Sequence, residues 1–132
     1  MLLTEQETKA LTGKILGFVK ADDAVANVGS DKLSHLRFAD NNILTSGSRI
    51  GRSANVTVWI GGKRGSASTN DLDDASLKAM VEQAEKIAAT APVDREYVAS
   101  LGPQKYKPVN GYVESTANLA LGARAQAVGG II

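Results

Sequence analysis

Residues 54–69 constrain this chain more than any other stretch. Ala54, Val56, Val58 and Ile60 alternate with Asn55, Thr57 and Trp59, the period of two that sends successive side chains to opposite faces of a strand. Gly61-Gly62 follows at once. Two residues free to take positive φ suit a two-residue type I′ or II′ loop, and that loop length sets Ile60 opposite Lys63 and Trp59 opposite Arg64. The apolar residues then meet Gly65, Ala67 and Thr69, side chains small enough for a helix to pack close. The other face carries Asn55, Thr57, Trp59, Arg64, Ser66 and Ser68, with the Arg64 guanidinium placed to lie over the Trp59 indole. A solvated sheet face and a binding surface fit this pattern equally.

A helix follows the hairpin. Asp73 is a good N-cap, Asp74 adds negative charge to the first turn, and Leu72 and Leu77 have the spacing of a hydrophobic staple. Leu77, Val81, Ala84, Ile87 and Ala88 share one face, which predicts a helix over 74–91 that Pro92 ends. Another helix is expected over 5–20, where Thr4 and Glu7 have capping-box spacing and Leu11, Ile15, Phe18 and Val19 recur on one side. Gly13 and Gly17 lie inside it, so they either permit close packing or weaken the helix.

Between these helices the pattern is that of strands. Residues 22–29 read as a first strand whose facing is ambiguous. Leu36 and Phe38 alternate with His35 and Arg37 in a second, Asp40-Asn41-Asn42 signals a turn before residues 43–45, and residues 47–51 loosen the chain ahead of the central hairpin. The expected architecture is an α+β two-layer sandwich: an antiparallel sheet of about four or five strands with two helices on one face. With Leu36 and Phe38 turned to the helices, His35 and Arg37 join the open polar face.

All three prolines and all three tyrosines fall between Pro92 and Tyr112. Residues 93–115 have no hydrophobic period and read as an extended arm that either drapes over a surface or acts as a linker. An alanine-rich helix is expected over 117–128, and Ile131-Ile132 after Gly129-Gly130 resembles the opening of a further strand. The expected organisation is a domain over 1–92, an arm over 93–115, and a helix with the start of a following region over 116–132.

Composition excludes several chemistries. Cysteine is absent, which removes thiol catalysis, disulfides and cysteine-ligated metals. Fifteen basic against fourteen acidic residues argue against a dedicated nucleic-acid surface or a membrane anchor. The acidic N-terminus lacks the pattern of a secretion signal, so a cytoplasmic location is expected. His35 is the only histidine, and no GxSxG turn frames a serine. Asp71, Asp73 and Asp74 resemble the opening of a calcium loop, but Ala75 and Ser76 stand where that loop requires a ligand and a glycine, and capping explains the aspartates better. The GGKRG segment fails the phosphate-loop spacing. Arg49, Arg52, Lys63 and Arg64 remain as a possible small anion site.

Residues 61–88, GGKRGSASTNDLDDASLKAMVEQAEKIA, resemble the N-terminal domain of the TldD/PmbA family, the zinc metallopeptidases and their partners formerly called modulators of DNA gyrase. Residues 36–60 and the ADDA of 21–24 extend the likeness backward, and GSAST followed by Asn70, Asp71 and Leu72 is closer to the PmbA-like branch. The resemblance covers residues 5–94. It implies an α+β domain of a longer chain, zinc held on an HExxxH helix and a cysteine in the full-length protein or its partner, and pairing into homo- or hetero-oligomers that admit unfolded peptide for proteolysis or peptide maturation. HExxxH is absent from these 132 residues, so no catalytic, cofactor-binding or metal residue is assigned. The candidate peptide or partner surface comprises His35, Arg37, Asn55, Thr57, Trp59, Arg64, Ser66 and Ser68. The alternative is a stand-alone peptide- or anion-binding module using the same face.

Overall fold

The computed structural model describes residues 1–131. The order of elements is α1 (Glu5–Phe18), β1 (Asp23–Ala39), β2 (Asn42–Ile60), β3 (Lys63–Thr69), α2 (Asp74–Thr90), α3 (Glu114–Ala117) and α4 (Leu121–Gly129). The strands form one sheet in the order β1-β2-β3. The chain divides into two compact units, residues 1–31 with 50–102, and residues 32–49 with 103 onward.

The first unit is built on the central hairpin. Gly61 and Gly62 have φ of 57° and 73°, the paired positive values of a type I′ turn. The register is the one this loop dictates, from Ile60↔Lys63 through Trp59↔Arg64 and Val58↔Gly65 to Ala54↔Thr69. Ala54, Val56 and Val58 are fully buried and form the core with Ile15 of α1 and Leu77, Met80, Val81, Ala84 and Ala88 of α2. Ala24, Ala26 and Val28 of β1 pack against the same core, which settles the facing of that strand.

Both helices begin where their caps direct. The Thr4 hydroxyl accepts from the Glu7 N–H while the Glu7 carboxylate accepts from the Thr4 N–H, and the Asp73 carboxylate accepts from the Ser76 N–H at 2.7 Å. Helix α1 ends at Phe18, two residues before the expected boundary, because Val19 is already extended. Lys14 of α1 pairs with Asp74 of α2 at 2.6 Å, and the Glu85 carboxylate accepts from the Lys20 N–H. On α2 the buried stripe includes Met80, while Ile87 is turned partly to solvent.

Helix α2 lies unusually close to β3, and Gly65 is the reason. A Cβ built on Gly65 would stand 2.0 Å from the Ala84 carbonyl oxygen and 2.5 Å from the Ala88 nitrogen. Helix backbone therefore rests directly on strand backbone, which only a residue without a side chain allows.

The sheet has three strands rather than four or five. Residues 30–34, which fell between two expected strands, and residues 47–51, expected to loosen the chain, run through the middle of β1 and β2. Gly29, Gly47 and Gly51 are not among the glycines with positive φ, and a glycine that keeps extended backbone does not end a strand.

The second unit contains the far ends of β1 and β2, joined by a two-residue turn with Asp40 at φ 49° and Asn41 at φ 57°. Aspartate and asparagine tolerate this left-handed region better than other side chains. Leu36 is half-buried and Phe38 is 44 % exposed, and neither belongs to the helix-packed core that would have received them. The alanine-rich segment forms two short helices instead of one. The Asn118 N–H bonds back to Glu114 and closes α3, and Ala120 is extended before α4. Of the residues expected to open a further strand, Ile131 instead donates to the Val128 carbonyl in a turn, and Ile132 lies outside the described residues.

Candidate functional site

The alternation that buries Ala54, Val56 and Val58 sends Asn55, Thr57 and Trp59 to the opposite face of the sheet, away from the helix-packed core. Register pairs them across the hairpin as Asn55↔Ser68, Thr57↔Ser66 and Trp59↔Arg64. Asn55, Arg64, Ser66 and Ser68 are exposed, and Thr57 and Trp59 are half-buried. Six of the eight predicted surface residues thus lie side by side. His35 and Arg37, both exposed, belong to the second unit. There the His35 ring covers Gly47, whose Cβ, if present, would be 3.0 Å from the ring Cε1.

Much of this face is paired within itself. The Thr57 and Ser66 hydroxyls are 2.8 Å apart, and the Asn27 amide donates to Asn55 Oδ1 at 3.1 Å. These cross-strand pairs satisfy polar groups without consuming all their capacity, since hydroxyls and amides have further donors and acceptors. Such a face can exchange hydrogen bonds with a passing backbone.

At the Trp59 end the arm supplies a partner that the sequence pattern did not reveal. The Tyr97 ring lies on Trp59 with centroids 5.6 Å apart and planes at 31°, a tilted arrangement favourable for two aromatics. The Tyr97 hydroxyl donates to Asp23 Oδ2 at 3.0 Å, and the Ser100 N–H donates to the same oxygen at 2.9 Å. The Ser100 N–H holds the Asp23 carboxyl below the usual aspartate range against the opposing effect of burial, with smaller contributions from the Ser100 side chain and the Tyr97 hydroxyl. Tyr97 is shifted upward, first by desolvation and then by its bond to the anionic Asp23.

The hairpin turn is held from two sides. Asp22 Oδ2 accepts from the Gly61 N–H at 2.7 Å, and the Asp22 N–H bonds to the Trp59 carbonyl. On the arm side the Asp94 N–H bonds to the Gly62 carbonyl at 2.8 Å, and Val93 bridges Lys63. Asp23 and Tyr97 were missed because an arm without a period gives no register from which to place a tyrosine on a face. The adjacent Asp22-Asp23 pair and the clustering of tyrosines were the only traces.

Of the basic residues of the possible anion site, Arg52, Lys63 and Arg64 lie in the first unit and Arg49 in the second. Lys63 reaches back to the Ala89 carbonyl at 3.3 Å, whereas its neighbour Arg64 points to the opposite face, and Arg52 donates to the Met1 carbonyl. The aspartates before α2 are occupied by its start, Asp73 as cap and Asp71 as acceptor for the Asp73 N–H. Among the described residues no three histidine, aspartate or glutamate side chains gather where they could hold a metal ion. No helix among the described residues is long and apolar enough to cross a membrane.

Residues 24–88 match the family model for PmbA/TldA metallopeptidase domain 1. No curated protein sequence matches the chain. Among solved structures, TldE from Thermococcus kodakarensis aligns with a TM-score of 0.66 at 20% identity over 85% of this chain and 25% of its own. A putative modulator of a DNA gyrase from Thermotoga maritima aligns with a TM-score of 0.68 at 16% identity over 92% of this chain and 27% of its own. At these identities the structures share the fold, and this chain spans about a quarter of each. By the family-model match, residues 24–88 are the N-terminal domain of the TldD/PmbA family, and the two solved structures share its fold.

Proposed function

We propose that this chain is a non-catalytic wall and docking element of a TldD/PmbA-type assembly in the cytoplasm. Its polar sheet face meets unfolded peptide and a neighbouring subunit during proteolysis or peptide maturation. The observation that carries this reading is the two-sidedness of the first unit. One sheet face is closed by α1 and α2, while Asn55, Arg64, Ser66 and Ser68 stand exposed on the other beside a half-buried Trp59. An extended peptide suits such a face because its backbone amides pair with hydroxyl and amide side chains, and Trp59 offers an aromatic anchor.

A photo-crosslinker in place of Ser66 tests this. It is expected to capture an added unfolded peptide more efficiently than the same group in place of Lys78 on the exposed side of α2. Equal capture at the two positions would contradict the reading.

A further inference from the structure

The corner of the sheet around Asp23, Trp59 and Gly62 is already occupied, and its occupant has the form of a bound peptide. Residues 93–100 contain no helix or strand, yet four of them make specific contacts. Val93 bridges Lys63 and the Asp94 N–H bonds to the Gly62 carbonyl, so the segment enters by adding main-chain bonds at the tip of β3. Tyr97 then stacks on Trp59 and its hydroxyl reaches Asp23, and three residues on the Ser100 N–H caps the same carboxylate oxygen. The stacked ring and the two hydrogen bonds to one charged oxygen are recognition by the Trp59 and Asp23 side chains, beyond what is needed to lead a chain off a helix. A free Trp59 and Asp23 would present the same features to any segment of like chemistry.

We propose that this corner is a recognition site for an extended peptide bearing a tyrosine with an unpaired backbone N–H three residues downstream, and that residues 93–100 are a displaceable ligand held in cis. The proposal rests on the reading of the polar face as a peptide surface and specifies its substrate class. Trp59 provides the aromatic platform, Asp23 selects the phenolic hydroxyl and the N–H, and Gly62 offers its carbonyl to the peptide's N-terminal end. Because the arm is tethered, its effective concentration at the corner is on the order of millimolar. A peptide from outside competes with it and binds the intact chain more weakly than a chain whose arm has lost its anchor.

The test uses the 132-residue chain with Tyr97→Ala and the emission of Trp59, its only tryptophan. Two synthetic peptides are titrated, one with the sequence of residues 93–101 and one with alanine in place of its tyrosine. The tyrosine peptide is expected to bind saturably and restore the emission of the unsubstituted chain. The alanine peptide, or the further substitution Asp23→Asn, is expected to weaken binding by about tenfold or more, as loss of a hydrogen bond to a charged group does. Equal binding of the two peptides overturns the corner as a tyrosine site and leaves the wider face as a peptide surface. Binding of neither overturns both.

Discussion

Replacing Gly65 with alanine should destabilise the first unit severely, although alanine is the better strand residue. Relief of glycine's conformational freedom would favour alanine by about 0.5–1 kcal/mol. Against this, the new Cβ would lie 2.0 Å from the Ala84 oxygen and 2.5 Å from the Ala88 nitrogen, where heavy atoms normally settle at about 3.5 Å or more. Both obstacles are helix backbone, so no side chain can rotate away. Helix α2 must retreat by roughly 1–1.5 Å, a gap large enough to forfeit a quarter to a half of the dispersion attraction along its seam. That seam includes Leu77, Val81, Ala84 and Ala88, all essentially buried. The net cost is about 3 kcal/mol, at the upper end for overpacking and a large share of a small domain's stability. Urea unfolding followed by Trp59 emission measures it, with Ser68→Ala on the exposed face as a control expected to stay within about 0.5 kcal/mol. A Gly65→Ala midpoint no lower than the control's would refute the backbone-on-backbone contact.

Gly13→Ala should act oppositely, raising stability by about 0.5–1 kcal/mol in the same assay, because nothing lies within 4 Å of the added methyl; destabilisation would mean that α1 uses this glycine for packing. Thr4→Ala removes one half of the capping box and should cost about 1 kcal/mol, whereas an unchanged unfolding midpoint would argue that α1 does not start at this cap. Docking of the arm should depend on pH at both extremes. Asp23 is depressed in the folded chain, so its contribution is full above the unfolded aspartate value of about 4 and fades as pH falls through the lower folded value. Tyr97 is raised, so its contribution is full below about pH 10 and fades as pH rises through the higher folded value. Trp59 emission should report the acid transition and lose it in Asp23→Asn; an identical acid profile in that variant would refute Asp23 as the anchor.

The hairpin, its register and both capped helices were legible in the sequence because each rests on local rules. Gly61-Gly62 permits a two-residue loop, the loop length fixes Trp59 across from Arg64, and Thr4 and Asp73 announce helix starts. The small residues opposite the apolar strand likewise foretold a close helix, and Gly65 is where it touches. The continuity of β1 and β2 was not legible. Glycine marks a break or an extended close approach with the same letter, and only the cross-strand neighbour distinguishes them, as the His35 ring over Gly47 does. Six polar-face residues could be placed because period two is unforgiving, whereas His35 and Arg37 depended on where Leu36 and Phe38 pack. Tyr97 and Asp23 are 74 residues apart in sequence, and no local signal specifies a pairing across that distance.

Amide chemical-shift mapping of the isotopically labelled chain during titration with an unfolded peptide tests the central claim most directly. Perturbations are expected to concentrate at Asn55, Thr57, Trp59, Arg64, Ser66 and Ser68, while the outward side of α2, at Lys78, Glu82 and Lys86, stays unchanged. Shifts confined to the helical side, or no saturable shifts on the sheet face, would contradict it.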